Sequence, residues 1–214
     1  MLDFGGVCLV TPFELHRSLE RKAGLEPGTF SWMGPLDPAS DSLWRRLLAK
    51  EVTEREYWHQ RTRDVGDALG RGDDWDLRAY MTLAYDEPES TIIRPSANDI
   101  VRDAKAEGRK VGILTNDLYD FHGEAWVDSI AFFKTVDTIT DASRIPALKP
   151  DPRAFEKALV DLGVEKEEVV FVDDQVRNCE GAVAFGLNTV RFDAANVDAS
   201  WDDARRRLGL RGAA

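Results

Sequence analysis

Cysteine is scarce in this sequence, with only Cys8 and Cys179 in 214 residues. The two lie far apart and show no metal-ligand spacing, which argues against both a disulfide framework and a zinc site. Both are expected as buried free thiols. Long apolar runs are also missing: none approaches the roughly 20 residues of a membrane-spanning helix. No basic segment followed by an apolar stretch opens the chain as a leader would, so the expected location is the cytoplasm. Positive charge is in short supply. With 28 Lys and Arg against 39 Asp and Glu, the net charge is -11, which argues against nucleic acid and anionic membranes as partners, since those surfaces select a basic face. Small ligands remain. An anionic one requires a local positive feature, such as a metal ion, a lysine or a helix N-terminus, to overcome the global field. Low-complexity tracts are absent too, and the length suits one domain with an insertion or two small domains.

Against these absences stands one distinctive opening, Leu2-Asp3-Phe4-Gly5-Gly6-Val7. A carboxylate at the end of an apolar segment, followed by glycines, points off the carboxyl edge of a sheet, where open α/β folds bind ligands. Such a carboxylate serves as a base, a metal ligand or a nucleophile; a plain turn is the alternative. Only Met1 and Leu2 precede Asp3, short for a buried parallel strand, so the strand is expected to be clipped or to continue upstream.

From Thr11 to about Glu89 the sequence reads as helices with no convincing strand. Phe13, Leu15 and Leu19 carry one helix. Asp37-Pro38 supplies an N-cap and first-turn proline for a second, holding Leu43, Trp44, Leu47 and Leu48. Thr53 to Glu56 forms a capping box for a third, and Trp75, Leu77, Tyr80 and Leu83 mark a fourth, together a small bundle. Trp32, Trp44, Trp58 and Trp75 fall here and are read as bundle core rather than a ligand pocket. His16 and His59 are read as packed or surface residues, with His16 and Glu14 kept in view because they follow the Asp3 loop. After Arg94-Pro95 strands alternate with helices, which predicts a parallel sheet with right-handed crossovers. Strands are expected at Lys110–Leu114, Thr135–Thr140, Val169–Val172 and Thr189–Phe192. Helices are expected from Ser96 to Gly108, Phe121 to Ile130, after the Asp151-Pro152 cap, from Asn178 to Phe185 and from Trp201 to Leu208.

Four strand or loop ends then present polar groups: Asp3, Thr115 with Asn116, Lys149, and Asp173 with Asp174. Carboxylates without histidine or cysteine suit a hard cation such as Mg²⁺. A hydroxyl, an amide and an ammonium offer donors to phosphoryl oxygens. In order and context these motifs resemble the haloacid dehalogenase (HAD) superfamily of Mg²⁺-dependent phosphohydrolases, over nearly the whole chain. The resemblance implies a Rossmann-like parallel α/β core with helices on both faces, residues 1–12 and 92–214, and an inserted four-helix cap, residues 13–91. It makes Asp3 the nucleophile that forms an aspartyl phosphate, with Thr115, Asn116 and Lys149 holding the transferring phosphoryl group. Asp174 would bind Mg²⁺ with Asp3 and the backbone carbonyl of Gly5. Asp173 would steady Lys149 or the metal's waters, and Asn178 would support the site.

One position departs from the phosphatase pattern. Where such members carry a second Asp, two residues after the nucleophile, this chain has Gly5, so a general acid and base worth about 10² to 10⁴ in rate is unassigned. Asp117, Glu14 and His16 are the nearby candidates. The expected activity is Mg²⁺-dependent hydrolysis of a small phosphorylated metabolite, such as a sugar or nucleoside phosphate. A dehalogenase and a non-catalytic phosphate-binding or regulatory protein are the alternatives. Oligomeric state is left open.

Overall fold

Residues 1–210 are described in a computed structural model, and by their internal contacts they divide into two units, Thr11–Glu87 and Met1–Val10 with Pro88 onward. The first is all helical. It holds α1 (His16–Ala23), α2 (Ser42–Leu48), α3 (Glu54–Ala68) and α4 (Leu77–Ala84), with a 3-10 turn at Pro12–Leu15. Phe13 is the hub of its core, its ring 5.9 Å from Trp32 and Trp44 and 5.6 Å from Trp58. The tryptophans thus largely pack the bundle. The capping box of α3 is present, with Glu56 N–H donating to Thr53 Oγ1 at 3.2 Å and Thr53 N–H donating to Glu56 Oε2 at 2.7 Å. The start of α2 differs from expectation. Asp37-Pro38 makes a turn, and Asp41 is the cap, accepting from Trp44 N–H at 2.8 Å. Asp41 wins because it is also the buried centre of the unit, taking the Tyr57 hydroxyl at 2.7 Å and the Arg61 guanidinium.

The second unit continues with α5 (Glu89–Ile92), α6 (Pro95–Ala106), β1 (Gly112–Thr115), α7 (Leu118–His122), α8 (Glu124–Ser129), β2 (Thr138–Asp141), α9 (Pro152–Leu162), β3 (Val170–Asp173), α10 (Val176–Phe185), β4 (Asn188–Arg191) and α11 (Val197–Leu208). α5 lies with this unit although the sequence reading gave residues up to 91 to the insertion. Glu89 accepts from the Ala131 and Phe132 amides, both at 2.8 Å, and the Ile92 carbonyl accepts from Val10.

β1 pairs in parallel with β2, and β3 with β4. Leu2 joins the two pairs through parallel bridges to Ile113 and Val172. Its N–H donates to Gly112 at 2.8 Å, its carbonyl accepts from Leu114 at 2.9 Å, and Asp3 N–H donates to Val172 at 2.8 Å. The order is therefore β2, β1, the Leu2 segment, β3, β4, all parallel, with the shortest segment in the centre. It is short because the chain turns at once, with the Phe4 carbonyl accepting from both Cys8 and Leu9. α9 packs on β1 and β2 and α10 on β3 and β4, while α11 packs on β3, β4 and α6. Phe155 of α9 meets Phe171 of β3 at 5.6 Å, and both are fully buried with Leu114, Ala158 and Ala182. Among the described residues no helix is long and apolar enough to cross a membrane.

Two further expectations are corrected. The helix over 121–130 is two short ones, α7 and α8, broken at Gly123, whose φ of 80° and ψ of 162° belong to a region open only to glycine. The expected strand from Thr135 begins only at Thr138, because Ala131–Lys134 makes a 3-10 turn that Thr135 ends. Replacing the buried Phe155 by Ala should cost about 3–5 kcal/mol. Val160→Ala, on the same helix but 71% exposed, should change stability by less than about 0.5 kcal/mol. Urea unfolding of the two variants checks the contrast, and equal losses would refute this assignment of the core.

Candidate active site

Each strand of the α/β unit delivers its polar end to the same edge because the strands are parallel and in register, Thr115 opposite Asp141 and Asp173 opposite Arg191. At the centre sits Lys149, 2% exposed. Its Nζ donates to Asp3 Oδ1 at 2.8 Å, to Asp173 Oδ2 at 2.7 Å and to the Leu114 carbonyl at 2.9 Å. All three ammonium protons are thus engaged. Asp3 Oδ1 also accepts from Phe4 N–H at 2.8 Å, and the other carboxylate oxygen takes no donor among the described residues. Burial pushes the Asp3 carboxyl up to about 7, opposed by Lys149 and reinforced by the charge on Asp173. The two neighbouring carboxylates hold Lys149 above the usual lysine range against the opposing effect of burial.

Asp173 is held from several sides. Beyond Lys149, its Oδ1 accepts from Gln175 N–H at 2.8 Å, and Asn178 Nδ2 lies 3.1 and 3.2 Å from its two oxygens. Asn178 therefore supports Asp173 from the first turn of α10. Asp174 is half-buried and approaches the Gly6 backbone so closely that a Cβ at Gly6 would lie 2.5 Å from Asp174 Oδ2. Gly6 also has φ of +77°. Gly5 has neither constraint: its φ is ordinary and a Cβ there would meet nothing within 4 Å.

Asp3, Asp173 and Asp174 offer carboxylate oxygens within 4.8 Å of one another. Three oxygen donors without nitrogen or sulfur, and a glycine that clears space for one of them, suit a hard divalent cation. Thr115 is buried at the end of β1, as is Asn116 just beyond it. Asn116 spends its carboxamide on Lys149, accepting from its N–H at 2.7 Å and donating to its carbonyl at 3.2 Å.

The sequence reading missed Arg94. Buried at the entry to α6, it donates from Nη2 to the Gly6 carbonyl at 3.2 Å and from its backbone to Cys8 at 2.9 Å, tying down the loop that carries Asp3. Its only signal in the sequence was a place before a proline. The two cysteines are buried free thiols, and each caps a site carbonyl, Cys8 that of Asp3 at 3.4 Å and Cys179 that of Asp173 at 3.2 Å. Of the candidate acids, Glu14 accepts from Thr11 N–H at 2.6 Å. His16 belongs to the helical unit, its ring 4.3 Å from that of Trp32, and burial lowers it to about 4. Asp117 is at the start of α7.

The pattern of haloacid dehalogenase-like hydrolases matches residues 26–186. The chain is 33% identical over 199 residues to an (S)-2-haloacid dehalogenase of Burkholderia cepacia, covering 86% of this chain and 79% of that one. It is 32% identical over 114 residues to a phosphatase of Mycobacterium tuberculosis, covering 53% of this chain and 49% of that one. It spans 18% of a mouse acyl-CoA dehydrogenase family member 10, at 24% identity over 197 residues and 90% of this chain. The solved HAD phosphatase from Thermococcus onnurineus shares the fold, with a TM-score of 0.59 over 99% of this chain and 98% of that one, at 18% identity.

The closeness of Gly6 to Asp174 is testable by itself. Gly6→Ala combines a left-handed φ with a clash and should destabilise the protein by at least about 1–2 kcal/mol, while Gly5→Ala should be near neutral. Chemical denaturation of the pair measures this, and a tolerated Gly6→Ala would contradict the loop geometry.

Proposed function

Because this chain belongs to the haloacid dehalogenase-like hydrolase family, we propose that it hydrolyses a small phosphorylated metabolite with Asp3 as nucleophile and Mg²⁺ as cofactor. The supporting observation is the trio Asp3, Asp173 and Asp174, with carboxylate oxygens within 4.8 Å of one another and the first two bonded to one buried ammonium. Three acids against one buried cation leave an excess of negative charge that an anionic substrate would have to approach. Asp3, Asp174 and the Gly5 carbonyl would hold Mg²⁺, which when bound supplies charge neutralisation at the phosphoryl oxygens.

The residues of the chain then divide the work. The Asp3 oxygen that takes no protein donor attacks phosphorus, forming a carboxyl–phosphorus anhydride as the ester P–O bond breaks and its electron pair leaves with the alcohol oxygen. Water next attacks the same phosphorus, breaking the anhydride and returning the Asp3 carboxylate with inorganic phosphate. Lys149 is fixed before substrate arrives, so its field offsets the repulsion between Asp3 and phosphate without reorganisation. Thr115 is the proposed hydroxyl donor to the phosphoryl group. Asp173, gripped by Asn178, keeps Lys149 in place. Substrate choice is assigned to the helical insertion that follows the nucleophile loop in the sequence.

A dehalogenase is the second reading, supported by the 33% identity to the Burkholderia cepacia enzyme; it gives Asp173 its place beside Lys149 but leaves Asp174 without a task. A screen of phosphate esters and 2-haloacids with and without Mg²⁺ separates the two. The expected result is metal-dependent phosphate release with no halide release, and the reverse pattern would overturn the proposal. Asp3→Asn should fold and turn nothing over. Lys149→Ala and Asp174→Ala should each lose the several kcal/mol of transition-state stabilisation typical of preorganised charge, and near-normal kinetics in both would count decisively against these roles.

Metal binding should depend on pH. With Asp3 raised to about 7, the free protein carries a partly protonated carboxyl at neutral pH, and a cation binds only the ionised form. Apparent Mg²⁺ affinity should therefore rise with pH and level off above about 7, with proton uptake by buffer seen calorimetrically below that point. An affinity flat from acid to neutral pH would show that Asp3 is not a ligand.

Gly5 bears on the leaving group. With no acid at that position, leaving groups that need no protonation, such as a sugar 1-phosphate, should be favoured over alkyl esters. Gly5 has an ordinary φ and open space for a side chain, so Gly5→Asp can be made without strain. It should raise turnover, most of all on alkyl phosphates. A folded variant with unchanged rates on both ester classes would refute the idea.

A further inference from the structure

The way Lys149 is held carries an inference about Asn116. Lys149 lies in the stretch between the 3-10 turn at Ala142–Arg144 and α9, outside any strand or helix. Buried backbone groups in such a stretch have no ladder to satisfy them, and leaving them unpaired is costly. Here both backbone polar groups of Lys149 go to one side chain. Asn116 Oδ1 accepts from Lys149 N–H at 2.7 Å and Asn116 Nδ2 donates to Lys149 C=O at 3.2 Å. The carboxamide takes the place that a peptide of a neighbouring strand would occupy. Two residues earlier in the chain, the Leu114 carbonyl receives the ammonium of the same lysine at 2.9 Å. The carboxyl end of β1 therefore grips Lys149 at both ends, at its main chain through Asn116 and at its head group through Leu114.

A long flexible side chain has many rotamers, and fixing both its root and its tip selects among them. The carboxamide of Asn presents an acceptor and a donor side by side in one plane at this reach, and Gln is one methylene too long for the same register. A phosphate ligand at this position would keep its N–H groups directed toward the substrate. This one commits its oxygen and one of its two N–H groups to the protein itself, which fixes the orientation of the amide.

We infer that Asn116 is a positioning residue, which sets Lys149 in its place beside Asp3 through a two-bond clamp on the lysine main chain, and is not a binding group for the phosphoryl substrate. The consequence for catalysis rests on the phosphohydrolase reading above, and the placement of Lys149 does not.

The test uses the whole protein, with lysine ammonium groups labelled with ¹⁵N. In the wild type, the Lys149 amide should be strongly protected from hydrogen exchange although it lies outside regular structure, and its ammonium should give a slowly exchanging resonance. A freely exchanging Lys149 amide would overturn the clamp without any variant being made. Asn116→Ala should shift or broaden the ammonium resonance. On an ester that the wild type hydrolyses, it should lower kcat by as much as about 100-fold, the scale of a small misplacement. KM and inhibition by inorganic phosphate should stay close to wild type. Asn116→Asp, which keeps the acceptor and loses the donor, should fall between the two and serves if the alanine variant does not fold. A rise in KM and in the phosphate inhibition constant, with the ammonium resonance unmoved, would make Asn116 a substrate ligand and refute the inference. If the wild type hydrolyses no phosphate ester, the phosphohydrolase reading fails, while the exchange and resonance measurements still decide whether Asn116 places Lys149.

Discussion

The ammonium of Lys149 is the one charge on which the α/β unit's carboxyl edge depends. It is almost completely buried and gives its three protons to oxygens from three places in the chain: Asp3 just after the Leu2 segment, Leu114 in β1 and Asp173 at the end of β3. Removing an ion from water is expensive, and a buried pair recovers that expense only when its hydrogen bonds are complete. For the ammonium they are complete. Deleting one partner of such a network leaves an uncompensated charge, costing about 3–5 kcal/mol. The same bonds that make the lysine tolerable hold three segments in register.

Around this charge the backbone approaches itself closely where side chains are missing. Gly6 admits Asp174, and Gly181 in α10 admits Pro150, whose Cβ would lie 2.4 Å from any Cβ at that glycine. α10 is thus pressed against the turn that carries Lys149. The same helix supplies Asn178 to Asp173 and Cys179 to the Asp173 carbonyl. Arg94 secures the other wall by holding the Gly6 carbonyl. Its guanidinium also lies 5.7 Å from the Phe192 ring centroid, so a buried charge is steadied by an aromatic as well as by a hydrogen bond.

Much of this was legible in the sequence because each strand of a parallel sheet writes its end plainly, as an apolar run that stops at a polar residue. Asp3, Thr115 and Asp173 follow that rule, and the Asp151-Pro152 cap dated the start of α9. What the sequence concealed was partnership. Nothing near Asn116 says that its carboxamide reaches a residue 33 positions away, and Arg94 looked like punctuation before a proline. Asp37-Pro38 misled because the local cap signal is real, yet Asp41 is chosen by its long-range bonds to Tyr57 and Arg61. The split between α7 and α8 turns on the conformation of a single glycine, which helical periodicity does not register.

The hydrogen bonds also narrow the question of who handles protons. A general acid needs an oxygen that can carry a proton toward the leaving group, within reach and not already spent. Asp173 is spent, since the Lys149 ammonium, the Gln175 amide and the Asn178 carboxamide cover both its oxygens. Glu14 gives one oxygen, Oε2, to the Thr11 amide and hydroxyl. His16 is enclosed by Phe13, Phe30 and Trp32, where burial disfavours the charged form. Asp173 is thus used to build the site rather than to move protons through it. On the phosphohydrolase reading proposed above, a carboxylate committed in this way stabilises charge and carries no proton to the leaving group.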